Sequence, residues 1–169
     1  EFDPFFNFRA TEFLVNNGLV EYYDWHDVKS WYPNGRDISA TSQVMLHVTA
    51  ATTYQIFGGN MELYDFTILF PGVVGALTAI IIFALVRVIG GTTAGLFASL
   101  LFAISVPIII RGFMGWFKSE PLGLFYGLFG LYLFLSGIKS DNKKITVSKL
   151  IGGGILMAFG LASWGGIQF

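Results

Sequence analysis

Two acid–proline pairs are the residues of this chain best placed to do chemistry. Asp3 precedes Pro4 in the opening run Glu1-Phe2-Asp3-Pro4-Phe5-Phe6-Asn7-Phe8-Arg9, and Glu120 precedes Pro121 far along the chain. Asp caps helices well, and Pro suits the first helical position, where its missing N–H would lack a partner anyway. Each pair therefore predicts a helix start. Free N–H groups and a partial positive charge at such a start favour anions. Two carboxylates there are hard oxygen ligands for a divalent cation, and such a cation can in turn hold a phosphate. Capping alone explains both acids as well, so the residues by themselves leave both readings open. Arg111 and Lys118 flank Glu120 on its N-terminal side. They are candidates for phosphate binding, or for snorkelling from a helix end to the membrane surface. His26 and His47 lack a second ligand at His-x-x-x-His spacing and predict no metal site. The chain has no Cys, which excludes disulfides, thiolate metal sites and a Cys nucleophile. No Gly-x-Ser-x-Gly elbow or Walker loop is present.

The composition says what must position these residues. Of 169 residues 54 % are hydrophobic and 12 % charged, with a mean hydropathy of +0.64; soluble domains carry about 25 % charged residues. The expected class is an all-α membrane protein, a multi-span helical bundle. A net charge of −1 supplies no basic field, so no nucleic acid is expected as a partner. No Met opens the chain and it ends just past an apolar helix, so we read it as a fragment of a longer membrane protein.

Residues 1–62 read as a loop outside the bilayer with two short interfacial helices, Pro4 to Asn17 and Val44 to Phe57, and loop-like chain from Leu19 to Ser42 around a Pro33-Asn34-Gly35 turn. Residues 63–169 read as four transmembrane helices: Leu63 to Val88 with a kink at Pro71, Thr92 to Ile110 after a Gly90-Gly91 turn, Pro121 to Ile138, and Val147 to Gly165. A short polar loop at 111–120 and a basic loop at 139–146 join them. Glycines recur in these spans, as at Gly123, Gly127, Gly130 and Gly152 to Gly154, and predict close helix packing. Arg87, Lys139, Lys143, Lys144 and Lys149 gather on one side, and most acids on the other. By the positive-inside rule the basic side is cytoplasmic, which puts Asp3 and Glu120 together on the external or lumenal face.

With those residues in view, a resemblance enters. Glu1 to Thr11 resembles the start of the first external loop in the catalytic subunit of oligosaccharyltransferase, the membrane enzyme of asparagine-linked glycosylation. Asp24 to Arg36 resembles that loop's Trp-Tyr-Pro-x-Gly-Arg segment, Arg111 to Phe125 the family's second acidic motif, and Ser163-Trp164-Gly165-Gly166 its Ser-Trp-Gly-Gly. The resemblance implies a GT-C glycosyltransferase fold. It also implies transfer of an oligosaccharide from a polyprenyl (dolichyl) diphosphate or phosphate carrier to Asn of Asn-x-Ser/Thr sequences. Its implied partners are this lipid-linked oligosaccharide, an acceptor polypeptide and the bilayer. It implies Asp3 and Glu120 as catalytic, metal-binding acids for Mn²⁺ or Mg²⁺, with Arg111 and Lys118 near the lipid diphosphate. The family usually has a further acid where this chain has Lys118. The opening motif is similar to archaeal and eukaryotic members, with an archaeal enzyme favoured, which implies the plasma membrane, or the endoplasmic reticulum if eukaryotic. The family's later acceptor-binding motif is absent from this sequence, so the fragment alone is expected to be inactive. Another polyprenyl-phosphate-dependent GT-C enzyme, or a non-catalytic membrane bundle, are the alternatives.

Overall fold

The computed structural model describes residues 3–168; Glu1 and Phe2 of the opening run and Phe169 lie outside the described residues. The first helix, α1 (Asp3–Asn17), stops at Gly18, whose φ of 91° a side chain would resist. The chain from Leu19 to Ser42, read as loop, is instead built of short pieces. These are α2 (Leu19–Tyr23), strands β1 (His26–Asp27) and β2 (Arg36–Asp37), and α3 (Ile38–Thr41). The strands pair antiparallel, His26 with Asp37 and Asp27 with Arg36. The expected Pro33-Asn34-Gly35 turn joins them, with Gly35 at φ 72° and the Tyr32–Pro33 bond cis. The His26 ring clips the hairpin, Nδ1 to Asp37 Oδ1 at 2.7 Å and Nε2 to the Asn34 carbonyl at 2.9 Å. Pieces this short carry no readable periodicity.

Helix α4 (Val44–Phe57) lies where it was expected and is too short to cross a bilayer. It sits between two apolar cores. Ala51 joins Ala10, Leu14, Tyr22 and Ile38 in one; Leu46 and Ala50 join Phe70, Val74, Phe117 and Leu122 in the other. The segment before α5 is thereby fastened to the long apolar helices that follow.

Those helices are α5 (Leu63–Ala103), α6 (Val106–Gly112), α7 (Ser119–Ile138) and α8 (Lys143–Ser163), followed by a 3₁₀ turn at Gly165–Gln168. Among the described residues three helices, α5, α7 and α8, are long and apolar enough to cross a membrane, where four were expected. The difference lies in the stretch Thr92 to Ile110. Gly91, at φ 86° and ψ 177°, folds α5 back on itself. The Ser99 hydroxyl then donates to the Ala79 carbonyl at 3.0 Å, across the two arms. The returning arm ends at Ala103, roughly 18 Å from the turn at 1.5 Å per residue, short of the ~30 Å hydrocarbon core. Ile104 and Ser105 break it, and Pro107, which has no N–H to donate, sits in the first turn of α6. Inside α5 the non-helical backbone falls at Gly91, not at Pro71.

Two loops are also corrected. Arg111 and Gly112 finish α6, and Phe117 and Lys118 are buried, so the 111–120 segment is packed rather than simply polar. The basic loop shrinks because α8 begins at Lys143: the Asn142 side chain accepts the N–H of Lys144 at 3.0 Å and of Ile145 at 3.5 Å.

The glycines do pack. A Cβ at Gly130 would lie 2.9 Å from the Gly153 carbonyl, one at Gly153 would lie 3.0 Å from the Gly130 carbonyl, and one at Gly160 would lie 3.2 Å from the Gly127 nitrogen. Backbone of α7 thus touches backbone of α8. A Cβ at neighbouring Gly154 meets nothing within 4 Å. Gly153→Ala should therefore cost about 1–3 kcal/mol by overpacking, while Gly154→Ala should be neutral or stabilising through helix propensity. Thermal unfolding of the two variants in detergent reads the contrast directly.

Candidate functional site

One face of α1 (Asn7, Ala10, Thr11, Leu14) is buried; of its two polar members, Thr11 donates its hydroxyl to the Asn7 carbonyl at 2.8 Å, and the Asn7 side chain reaches other elements. The Asn7 side-chain amide donates to the Phe117 carbonyl at 2.9 Å, and its oxygen lies 3.1 Å from His47 Nε2. His47 Nδ1 lies 2.6 Å from the Tyr22 hydroxyl. Burial pushes the Tyr22 phenol up to about 12. Burial, helped by the positive charge of Arg36, holds the His47 imidazole down to about 3. Both groups are neutral at pH 7, which assigns the protons. Tyr22 O–H donates to Nδ1, Nε2–H donates to Asn7, and Asn7 donates to Phe117. Each buried polar group in this chain of bonds is satisfied, and it runs from α2 through α4 and α1 to the segment leading into α7.

That segment carries the expected site residues. Asp3 stands one turn before Asn7 on α1, and Lys118 follows Phe117. The Asp3 carboxylate meets the Lys118 ammonium at 2.9 Å. The Lys118 side chain is only 10 % exposed and lies over the Trp116 ring at 4.7 Å. Two residues on, Glu120 Oε1 pairs with Arg111 at 3.2 Å, and its Oε2 is buried with no hydrogen-bond partner among the described residues. Both acids lie in first helical turns, as expected, but neither is shown as a cap. Asp3 is already inside α1, and Lys118 occupies the cap position of α7 without a side-chain cap bond.

The acids gather about the α7 start yet open onto different cavities. Asp3 lines one of about 650 Å³ with Arg9, Lys29, Trp31 and Arg36. Glu120 lines one of about 440 Å³ with Arg111, Phe102, Pro107, Leu124 and Trp164. Trp164, in the Ser-Trp-Gly-Gly segment, thus reaches the Glu120 side. Among the described residues no group of three His, Asp or Glu is arranged to hold a metal ion. The donor chemistry nevertheless suits a hard cation at two points, the exposed Asp3 carboxylate and the partnerless Glu120 Oε2. A complete coordination shell needs oxygens from elsewhere.

Sequence reasoning missed Asn7, Tyr22 and His47, and also the ion pair of Arg9 with Asp27, which Ser30 joins. A polar Asn on the apolar stripe of α1 was the available signal.

A family model described as the N-terminal part of oligosaccharyl transferase STT3 matches residues 1–169. This chain belongs to the STT3 family. Rice dolichyl-diphosphooligosaccharide–protein glycosyltransferase subunit STT3B is 30 % identical over 100 % of this chain and 23 % of its own length. Rice subunit STT3A is 31 % identical over 100 % of the chain and 21 % of its own length. The Caenorhabditis elegans subunit stt-3 is 29 % identical, over 100 % and 22 %. The chain therefore spans under a quarter of the length of these curated relatives. The fold matches an Archaeoglobus fulgidus oligosaccharyltransferase, crystallised in complex with Zn and sulfate, with a TM-score of 0.75 at 20 % identity over 98 % of this chain and 21 % of that one. Family and apolar helices together make this STT3 chain part of an integral membrane protein.

His47 gives the buried network a pH signature. Its ordinary pKa is 6.5 and its folded value is about 3, so between these values the unfolded state binds the proton more tightly. Stability should be unaffected above pH 6.5 and should fall as pH drops below it, by roughly 1 kcal/mol per pH unit, levelling off near pH 3. His47→Phe should flatten this slope and cost about 1–3 kcal/mol at neutral pH by leaving Tyr22 and Asn7 unpaired. Unfolding measured from pH 4 to 7 checks both.

Proposed function

We propose that this chain is the N-terminal part of an oligosaccharyltransferase, which transfers an oligosaccharide from a polyprenyl diphosphate to the side-chain amide of Asn in Asn-x-Ser/Thr. The observation that carries this is the family match over residues 1–169. It is supported by the meeting of Asp3 with Lys118, two residues before Glu120. In this reading residues 1–62 form the first loop outside the bilayer and 63–169 the opening membrane helices. Asp3 and Glu120 face the external or lumenal side, and the lysines at 139–149 face the cytoplasm. The membrane is the plasma membrane or that of the endoplasmic reticulum.

In the transfer, the bond from the anomeric carbon to the diphosphate oxygen breaks. A bond from that carbon to the Asn nitrogen forms with inversion, and the nitrogen gives up a proton that the departing diphosphate takes up. Asp3 and Glu120 would hold Mn²⁺ or Mg²⁺ with the help of oxygens from elsewhere. When bound, the metal supplies Lewis-acid stabilisation of the departing diphosphate. The Asp3 carboxylate also accepts an N–H of the incoming amide and orients it. Lys118 holds the Asp3 carboxylate in place. Arg111 anchors one oxygen of Glu120 and leaves the other open.

The test is transfer to a labelled Asn-x-Thr peptide by the full-length protein in membranes. Asp3→Asn and Glu120→Gln should each slow transfer by about 100-fold or more, in line with loss of a preorganised charge-stabilising group. Chelation should stop the reaction and Mn²⁺ or Mg²⁺ should restore it. Lys118→Ala should slow it by about 10-fold, one lost charge-assisted hydrogen bond. No transfer by the unaltered protein with any lipid-linked donor would overturn the proposal. A full rate in Lys118→Ala would remove the role given to Lys118.

A further inference from the structure

Most cations around this site are matched. Arg9 is held by Asp27 and Ser30, Lys118 by Asp3, and Arg111 by Glu120. Arg36 is different. Its guanidinium carbon lies 3.8 Å from the centre of the Phe6 ring and 5.0 Å from that of Trp31. Among the described residues it has no carboxylate within ion-pair distance and no side-chain hydrogen bond, and its Nε is buried without a partner. A partly buried charge with unused N–H donors is costly. Two aromatic faces recover only part of that cost.

Arg36 lines the cavity of about 650 Å³ that Asp3 also lines, with Lys29, Ser30 and Trp31 on its walls. Arg9 is neutralised by Asp27 and Asp3 by Lys118. The cations left to face the space are Arg36 and Lys29, against an exposed Glu12. The volume suits a ligand larger than a single phosphate. A separate observation concerns the backbone. Trp31 sits at φ 52°, a left-handed conformation unusual for a bulky residue, and the residue is 62 % exposed. Such an outlier persists only where its surroundings hold it, and it marks functional loops. The β1–β2 hairpin, clipped by His26, is what holds Trp31 beside Arg36.

We infer that Arg36, clamped between Phe6 and Trp31, is the anion-binding residue of a subsite that takes the diphosphate of the donor lipid in the Asp3 cavity. A planar guanidinium with free N–H groups suits two phosphate oxygens at once, which an ammonium does not. The two rings hold its plane, so little side-chain freedom is lost on binding. The inference rests on the donor assigned under the proposed function and adds a phosphate contact contributed by the hairpin.

The test uses the full-length protein in nanodiscs with three probes: inorganic pyrophosphate, a sugar-free polyprenyl diphosphate and the matching polyprenol. Arg36→Met should weaken both diphosphates at least 10-fold and leave polyprenol binding and the melting temperature unchanged. Arg36→Lys, which keeps the charge and guards against a folding failure, should weaken them several-fold. Lys143→Met, which removes one charge at the start of α8, should change nothing. Unchanged diphosphate binding in both Arg36 variants would overturn the inference. So would a loss confined to the lipid with pyrophosphate unaffected. A loss confined to pyrophosphate would overturn the lipid assignment and leave a free-phosphate site. Binding is read without transfer, so a protein that transfers nothing yet loses diphosphate with Arg36→Met would fail the transferase reading alone.

Discussion

The neutral imidazole of His47 has one N–H and one bare nitrogen, and in the dry interior each needs a partner. Tyr22 fills one role and Asn7 the other, and Asn7 spends its own N–H on the Phe117 carbonyl. This run of bonds has a single satisfactory arrangement. It fixes where α1 lies against α4 and where the segment before α7 lies against α1. Asp3, one turn from Asn7, then has no choice but to meet Lys118, the neighbour of Phe117. The apolar cores on either side of α4 provide the bulk of the burial, but apolar contacts tolerate small slips. The polar run does not, because a slip would strand a buried donor or acceptor.

The same logic separates structural charges from those left for chemistry. Asp27 is buried and fully engaged by Arg9, Ser30 and the Lys29 N–H, so its charge is consumed by the fold. Among the described residues Glu120 keeps one oxygen without a partner, and Arg36 has no carboxylate within ion-pair distance. A folded chain tolerates such loose ends where something else completes them. Here they fall on the walls of the two cavities flanking the α7 start.

Much of this architecture was legible in the sequence. The ends of α1, α4 and α7 follow from Gly18, Gly58 and Pro121, and a turn at Gly90-Gly91 was readable as well. What was not legible is non-local. In the Thr92 to Ile110 stretch Ser105 and Pro107 mark the break after Ala103, but the apolar run continues through them and reads as one span. The β1–β2 hairpin pairs two residues with two, too few for a pattern. His47 was dismissed as a ligand without a neighbour along the chain, yet its partners, Asn7 and Tyr22, are 40 and 25 residues away. Asp3 and Glu120 were found because each stands beside a proline; that each already carries a basic partner needed three dimensions.

The glycine seam between α7 and α8 has one more consequence. Gly123, Gly127, Gly130 and Gly137 are flanked by Leu, Phe, Tyr, Ser and Ile. A screw motion of α7 by a single residue, about 1.5 Å of rise with about 100° of turn, would drive those larger groups into the backbone of α8. The joint is therefore a ratchet with one tooth: it admits no gradual vertical creep. The height of the α7 start in the membrane, and with it the level at which Lys118 and Glu120 stand, is set by the places where side chains are missing.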